Sequence, residues 1–366
     1  MTTVRIHDGN ARTTPGADAT RQRAQWADVA KGACIILVVL WHVIVKDYLQ
    51  IRWHAGSPVP SAWGTLGEQL LPLRMPLFFT ISGVFAANAV NRPWRVLGRS
   101  RVAKFLYLYA VWLLIHTVIL AAVPDFDTAH ADSVLGLVEQ LTITPSNLWY
   151  LYALALYFAF ARAVRWAPRP VIFAAAAALS VITAAGVLAT PGDRGGVYQN
   201  LVFFLGGLYF KPYVERWATT ATNRRLALTL VAYAAALTVM AVTGGQRWVG
   251  VWPAVSVAAV AFGVTAAARV GRWRPVGDAL AALGRRTLPI YVIHMPLLAL
   301  LHGFLVGPMS GLGGIGQALM VAEYPILLTA AVIGLSLAIH RGLLVVRATW
   351  LFEVPRRRRQ AAPRRT

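Results

Sequence analysis

Long apolar runs recur along the whole chain, and this feature constrains the fold more than any other. Each run is near the twenty-residue length with which a helix crosses the hydrocarbon core of a bilayer. Hydrophobic residues make up 57% of the chain and charged residues only 13%, a balance typical of membrane proteins. The sequence therefore predicts an all-α, polytopic transmembrane helix bundle of about ten spans, whose membrane domain covers residues 28–350. The runs begin near Val29, Leu70, Phe105, Leu148, Val171, Val197, Leu226, Val249, Leu288 and Tyr324.

Basic residues alternate between successive connections instead of forming one patch. The connection 91–104 carries five Lys or Arg residues, whereas 124–146 carries none and is acidic. The same alternation continues to the segment 301–323, which again has no Lys or Arg, although the first outer loop holds Lys46 and Arg52. Under the positive-inside rule this pattern places every second loop and both termini in the cytosol. The net charge of +21 is thus mainly a topology signal, and we expect no nucleic-acid partner.

The two ends of the chain are polar and basic. Residues 1–27 lack the apolar core of a signal peptide, and we predict that they form a disordered basic cytosolic arm. Residues 351–366 contain six arginines and are predicted to be a basic cytosolic tail in contact with anionic lipid headgroups. Cys34 is the only cysteine, which excludes an intramolecular disulfide and a cysteine metal cluster, and we predict no metal site.

Ionisable residues inside the spans are few, and each is a functional candidate because charge is costly within a bilayer. They are His42, Arg74, His116, His294 and His340. Lys31 precedes His42 by eleven residues, close to three helical turns, so the two side chains share a helix face about 16 Å apart along the axis. Asp28 can pair with Lys31 at the cytosolic end of this helix. A topology anchor and a core histidine are the alternative interpretation.

The second span reads Leu73-Arg74-Met75-Pro76-Leu77-Phe78-Phe79-Thr80-Ile81-Ser82-Gly83. We predict that Arg74 lies at the extracytoplasmic mouth, where it could hold an acceptor's carboxylate or phosphate. The Ser82-Gly83 pair suggests close helix packing. Trp149 begins its span on the extracytoplasmic side and could stack on a sugar, although aromatic residues at span ends are common in membrane proteins.

Two of these stretches together resemble the acyltransferase 3 family of membrane-bound acyltransferases. They are Asp28-Val29-Ala30-Lys31-Gly32 running into the helix with His42, and the segment from Arg74 to Gly83. The segments 148–151 and 289–296 look like two further family stretches, so the similarity covers roughly residues 28–350. The nearest resemblance is to the fucose 4-O-acetylase-like subgroup.

The resemblance implies roles for several basic residues. Lys31 and His42 occupy the places of the family's basic residue and histidine in the first helix, and Arg101 and Lys104 match a basic pair associated with acyl-coenzyme A. In each of these two motifs Lys stands where the family usually has Arg, which keeps the charge but loses bidentate phosphate binding. Arg74 stands where the subgroup usually has His.

Acyl transfer from a thioester to a hydroxyl requires a base and a site for the anionic donor. The base is predicted to be His42, because burial favours a neutral imidazole. Arg95, Arg101 and Lys104 are assigned to acyl-coenzyme A, with acetyl-coenzyme A expected as a co-substrate and no cofactor bound permanently. Lys31 is predicted to belong to the catalytic set with His42 and His294, and to face the pantetheine or phosphate end of the donor. His294 is expected either to orient or relay, or to form a core hydrogen bond. Arg74 and Trp149 would contact a carbohydrate or cell-envelope glycan.

Other functions remain open at this stage. A membrane carrier or flippase for a lipid-linked sugar would also suit ten spans with buried His and Arg. A sensor or scaffold with degenerate catalytic features is a third possibility, against which the presence of His42 argues. The alanine-rich and arginine-rich composition is typical of a high-GC bacterium, so we predict a multi-pass protein of the bacterial inner membrane.

Overall fold

The computed structural model describes residues 15–54 and 58–355, with side chains described from Gln25 onward except that of Asp193. These residues form sixteen α-helices and contain no strand. The first eight are α1 (Pro15–Lys46), α2 (Pro58–Gln69), α3 (Leu71–Ala86), α4 (Trp94–Leu97), α5 (Ala103–Ala121), α6 (Val134–Thr142), α7 (Trp149–Ala163) and α8 (Arg169–Ala184). The others are α9 (Gly195–Gln199), α10 (Leu201–Tyr209), α11 (Lys211–Thr219), α12 (Asn223–Val242), α13 (Val251–Val270), α14 (Arg274–Gly284), α15 (Thr287–Ser310) and α16 (Gly314–Val345). A π-helical turn, Gly98–Val102, joins α4 to α5.

Every predicted apolar run coincides with helix in this structure. Within the described ranges, seven helical segments are long and apolar enough to cross a membrane. The runs near Leu148, Val171 and Val197 form shorter helices, namely α7, α8 and the pair α9–α10. The all-α polytopic bundle is therefore confirmed, while the number of spans and the cytosolic location of the termini stay predictions. The seven segments are Gln25–Gln50, Pro58–Ala86, Trp94–Ala121, Asn223–Val242, Val251–Val270, Thr287–Ser310 and Gly314–Val345.

The structure bears on both ends of the predicted membrane domain, whose bounds stay a prediction. The predicted disordered arm ended at residue 27, but α1 already begins at Pro15, so residues 15–27 are helical. Pro is favourable at the first helical position, and the Ala, Gln and Arg that follow are good helix formers. At the other end, Leu351 and Phe352 are buried, and the Trp112 indole donates to the Leu351 carbonyl at 2.7 Å. These two residues therefore belong to the packed domain, and residues 1–14 and 356–366 lie outside the described ranges.

Two close helix crossings depend on glycine. A Cβ atom at Gly83 of α3 would lie 1.9 Å from the Phe204 carbonyl oxygen of α10, and one at Gly207 would lie 1.9 Å from the Thr80 carbonyl oxygen. Small residues allow such backbone contact between membrane helices. The predicted close packing at Gly83 is therefore observed, with α10 as its partner.

The second crossing fixes the N-terminal part of α1 against α14. A Cβ atom at Gly32 would lie 2.0 Å from the Leu280 carbonyl oxygen, and one at Gly284 would lie 1.8 Å from the Asp28 carbonyl oxygen. Because α14 leads directly into α15, this contact sets the position of α15 relative to α1. These are the two helices that carry His294 and His42.

A buried polar cluster ties the other end of α1 to α15 and α16. The Asp47 carboxylate is fully buried and accepts a hydrogen bond from Tyr324 Oη at 2.7 Å. Its second oxygen lies 3.0 Å from His302 Nδ1. The Tyr48 hydroxyl donates to the Val321 carbonyl at 2.6 Å. These contacts fix α1, α15 and α16 relative to one another along the bundle axis, because a buried carboxylate requires its hydrogen-bond partners.

Candidate active site

The structure brings His42 and His294 into contact, although 252 residues separate them in sequence. His294 Nε2 lies 3.2 Å from His42 Nδ1, and the ring centroids are 5.0 Å apart. His294 is 2% exposed, whereas His42 is half-buried. Two imidazoles therefore meet inside the bundle, with His42 as the more accessible member.

Backbone carbonyls determine which nitrogen of each ring carries hydrogen. His294 Nδ1 lies 2.7 Å from the Tyr291 carbonyl oxygen and 3.2 Å from that of Ile290. A carbonyl oxygen only accepts, so His294 Nδ1 must donate, and in the neutral ring Nε2 is then an acceptor. His42 Nδ1 must in turn donate to His294. This arrangement leaves the lone pair of His42 on Nε2, which is the form that a general base requires.

Neighbouring helices hold α15 in the position that this contact requires. The buried ring of His116 on α5 donates from Nε2 to the Val292 carbonyl at 2.8 Å. The Tyr291 hydroxyl donates to the Asn147 carbonyl at 3.1 Å, just before α7 begins. Since Tyr291 also supplies the carbonyl that binds His294, its side chain and backbone both act on the histidine pair.

Arg74 lies deeper in the protein than the sequence predicted. Instead of standing at the mouth of its span, it is 4% exposed, because α2 precedes α3 and covers it together with α1. Its Nη1 lies 3.5 Å from the Leu37 carbonyl oxygen, and its guanidinium carbon is 4.9 Å from the centroid of the Trp41 ring. No carboxylate within the described ranges forms a salt bridge with it. The guanidinium lines a small cavity with Leu37, Leu40, Trp41, Ile44, Leu66, Gly67 and Leu70.

The basic residues expected to bind the donor lie toward the end of the bundle that is predicted to be cytosolic. Lys31 Nζ forms the predicted ion pair with Asp28 at 2.7 Å and lies 5.2 Å from the centroid of the Phe85 ring. Arg95 and Arg101 are exposed and Lys104 is half-buried, on α4, the π-helical turn and α5. The structure thus separates Lys31 from His42 along α1, as eleven residues of helix require.

Trp149 forms part of an aromatic cluster at the start of α7. Its ring centroid lies 5.9 Å from that of Phe79, and the indole also contacts Gly196. Tyr150, the next residue, lies 2.8 Å from the Ser82 hydroxyl and packs against Tyr291 at 5.7 Å. The half-buried Trp149 therefore lies one residue from a contact with the helix of His294.

Comparison with known proteins assigns this constellation to a family. The model of the acyltransferase domain matches residues 24–341, which is most of the chain and includes both histidines. The chain belongs to the acyltransferase 3 family. It is therefore a multi-pass membrane protein of a family of acyltransferases.

A relative of this acyltransferase 3 protein is the inner membrane protein YcfT of Escherichia coli (strain K12). The two are 29% identical over 238 residues, which cover 61% of this chain and 65% of the relative. The alignment thus spans just under two thirds of the relative's length. No solved structure matches this acyltransferase 3 chain. Membership of the fucose 4-O-acetylase-like subgroup stays a prediction.

The sequence did not single out Tyr150 or Tyr291 as parts of this acyltransferase 3 site. Both lie in apolar segments rich in aromatic residues, where an interfacial aromatic belt is the common explanation. Tyr291 precedes His294 by three residues, which places both side chains on one helix face and was the only available signal. Asp47 and His302 were missed as well, since each looks like an isolated polar residue near a span end.

Proposed function

We propose that the protein transfers an acyl group, acetyl in the first instance, from cytosolic acyl-coenzyme A to a hydroxyl of a carbohydrate or cell-envelope glycan. His42 is the general base of this reaction and His294 is its positioning residue. The observation that carries the proposal is the contact between His294 Nε2 and His42 Nδ1, together with the hydrogen bond from His294 Nδ1 to Tyr291. It supplies a half-buried, oriented base in a chain that belongs to an acyltransferase family.

The reaction that this geometry supports is direct transfer. His42 Nε2 removes the proton of the acceptor hydroxyl as its oxygen attacks the thioester carbonyl carbon. The tetrahedral intermediate then collapses with cleavage of the carbon–sulfur bond, and the thiolate of coenzyme A takes the proton from His42. Protons and electrons balance, and His42 returns to its starting form. His294 holds the ring throughout, because its own Nδ1 is committed to a backbone carbonyl.

The donor and the acceptor are proposed to reach the site from opposite sides. Lys31, Arg95, Arg101 and Lys104 lie at the end expected to be cytosolic and would bind the phosphates of acetyl-coenzyme A. Arg74 and Trp149 would contact the acceptor. For Arg74 the support is a nearly buried guanidinium that has no carboxylate partner in the described part of the chain and faces a cavity. A bacterial inner membrane, the location given in the name of YcfT, is the proposed setting.

The test is label transfer by the purified protein in detergent. Radiolabelled acetyl-coenzyme A is supplied with a panel of cell-envelope glycans, and wild type is compared with His42→Gln. We expect labelled glycan from wild type and a loss of at least about 10²-fold in His42→Gln, because general base catalysis contributes that much. His340→Gln is the matched control, since it removes a histidine on α16 that lies outside the site.

Retained folding of each variant is checked by its thermal transition in the same detergent. Label transfer that is indifferent to His42 would overturn the proposed mechanism while leaving the reaction class intact. Wild-type protein that neither binds acetyl-coenzyme A nor transfers label to any glycan would contradict the proposed donor. It would also favour the carrier interpretation.

A further inference from the structure

A second arginine inside the bundle is buried without a counter-ion. Arg162, in the last turn of α7, is only 7% exposed. Its Nε and Nη1 atoms are buried and lack a hydrogen-bond partner, and no carboxylate in the described ranges forms a salt bridge with it. The guanidinium group lies over the ring of Trp94 on α4, with 5.8 Å between the guanidinium carbon and the ring centroid.

Such an arrangement is suited to a partner from outside the chain. An unpaired buried charge is far more costly than an exposed one, and a cation–π contact offsets only part of that cost. The ordinary alternative for an arginine at a helix end is to extend to water, as Arg165 does three residues later. The burial of Arg162 therefore indicates an anionic ligand.

The surroundings of Arg162 favour a ligand with several negative charges. Arg101 lies on the same side of α7, where its guanidinium carbon is 5.9 Å from the centroid of the Phe158 ring. Phe158 precedes Arg162 by four residues, so the two occupy one helix face one turn apart. The π-helical turn that carries Arg101 also contains the exposed Arg99. Arginine groups of this kind are the usual protein ligands of phosphate.

The helix α7 connects this cluster to the histidine pair. Tyr150, near its start, packs against Tyr291 beside His294, and Arg162 lies twelve residues further along. Twelve residues of helix extend about 18 Å, close to the axial separation of about 16 Å between Lys31 and His42. The two helices thus place cations at similar axial distances from the site. Acyl-coenzyme A has the matching layout, because an extended pantetheine arm separates its thioester from its phosphates.

We propose that Arg162 binds a phosphate of the donor's nucleotide portion, at a site formed by the end of α7, Trp94 and the π-helical turn. This assignment rests on the proposed use of acyl-coenzyme A. It adds a buried ligand to the exposed cations that the sequence assigned to the donor. The pantetheine portion lies along α7 between this site and His42.

The experiment measures equilibrium binding of radiolabelled acetyl-coenzyme A to the full-length protein in a phosphate-free maltoside detergent. Competition by adenosine 3′,5′-bisphosphate and by pantetheine is measured in parallel, because the first carries the nucleotide phosphates and the second carries none. Arg162→Gln is compared with Arg165→Gln, which removes the same charge from an exposed position three residues away. Thermal transitions confirm that both variants fold.

We expect Arg162→Gln to weaken the binding of acetyl-coenzyme A and of the bisphosphate by about tenfold or more, because a charge-assisted contact is lost. Competition by pantetheine should not change. Arg165→Gln should change each value by less than about twofold. Arg162→Lys should restore part of the affinity, since it keeps the charge without the planar fork.

Three other outcomes would overturn the assignment. If Arg162→Gln and Arg165→Gln both bind acetyl-coenzyme A as tightly as the wild type does, Arg162 is not part of the donor site. The proposed function would be unaffected by this result. If Arg162→Gln has a lower affinity for acetyl-coenzyme A than the wild type only after phosphatidylglycerol is added, the phosphate that Arg162 binds is that of a lipid headgroup. Failure of the wild type to bind acetyl-coenzyme A at all would instead contradict the proposed function itself.

Discussion

At the scale of single residues, the buried arginine beside the first helix has the clearest separable role. Arg74 contacts Leu37 and Trp41, which follow Lys31 by six and ten residues along α1, so it lies further along this helix than that donor candidate. We therefore expect Arg74→Gln to raise the acceptor KM about tenfold, the effect of losing a hydrogen bond to a charged group. Arg74→Lys should be intermediate because it keeps the charge.

Steady-state kinetics with varied glycan and varied acetyl-coenzyme A separates the two substrates. The account predicts an unchanged affinity of Arg74→Gln for acetyl-coenzyme A. A fall in donor affinity with an unchanged acceptor KM would place Arg74 on the donor side of the reaction instead.

The sequence could identify the ionisable residues of the site but not its tyrosines or the contacts between side chains. His42 and Arg74 stand out because ionisable groups are rare in apolar runs. The distance between His42 and His294 depends on how α1 and α15 pack, and no local pattern encodes it. The burial of Arg162 was equally hidden, since an arginine at a span end normally reaches water.

At the scale of helices, glycine crossings make the strongest prediction. Gly83→Ala would drive a methyl group into the α10 backbone, since a Cβ atom there lies 1.9 Å from a carbonyl oxygen. We expect a lower thermal transition, or loss of monodisperse protein, because α3 and α10 must separate. Gly334→Ala on α16 is the control, as its Cβ would have open space and alanine favours the helix by about 1 kcal/mol.

Thermal unfolding of the purified variants, followed by intrinsic fluorescence, provides the comparison. Equal transitions for Gly83→Ala and Gly334→Ala would show that the crossing tolerates a side chain.

The crossing of α1 with α14 shows what the sequence could not predict. It looked like a cytosolic connection because α14 is short and partly polar, yet the Gly32 and Gly284 contacts make it a structural support of α1.

At the scale of the whole molecule, the account depends on which side of the membrane each loop faces. The predicted cytosolic loop contains Ser100 and the predicted outer loop contains Asp125, and both residues are exposed. In a Cys34→Ser background, a membrane-impermeant maleimide added to intact spheroplasts should label Asp125→Cys but not Ser100→Cys. Labelling of Ser100→Cys should appear only after the membrane is opened.

Cys34 is the only native cysteine and is buried, so its replacement removes background labelling without changing a charge. Labelling of both loops from the same side would contradict the positive-inside topology. It would also contradict the proposal that donor and acceptor arrive from opposite faces.

The central claim is that His42 and His294 act as one catalytic unit, and a double-mutant cycle on kcat tests it most directly. We expect His42→Gln to lower kcat by at least about 10²-fold and His294→Gln to lower it less, with the donor KM unchanged in both. The double variant should be no slower than His42→Gln alone, because residues of one unit are not additive. Multiplied losses in the double variant, or an effect of His294→Gln on donor KM alone, would contradict the claim.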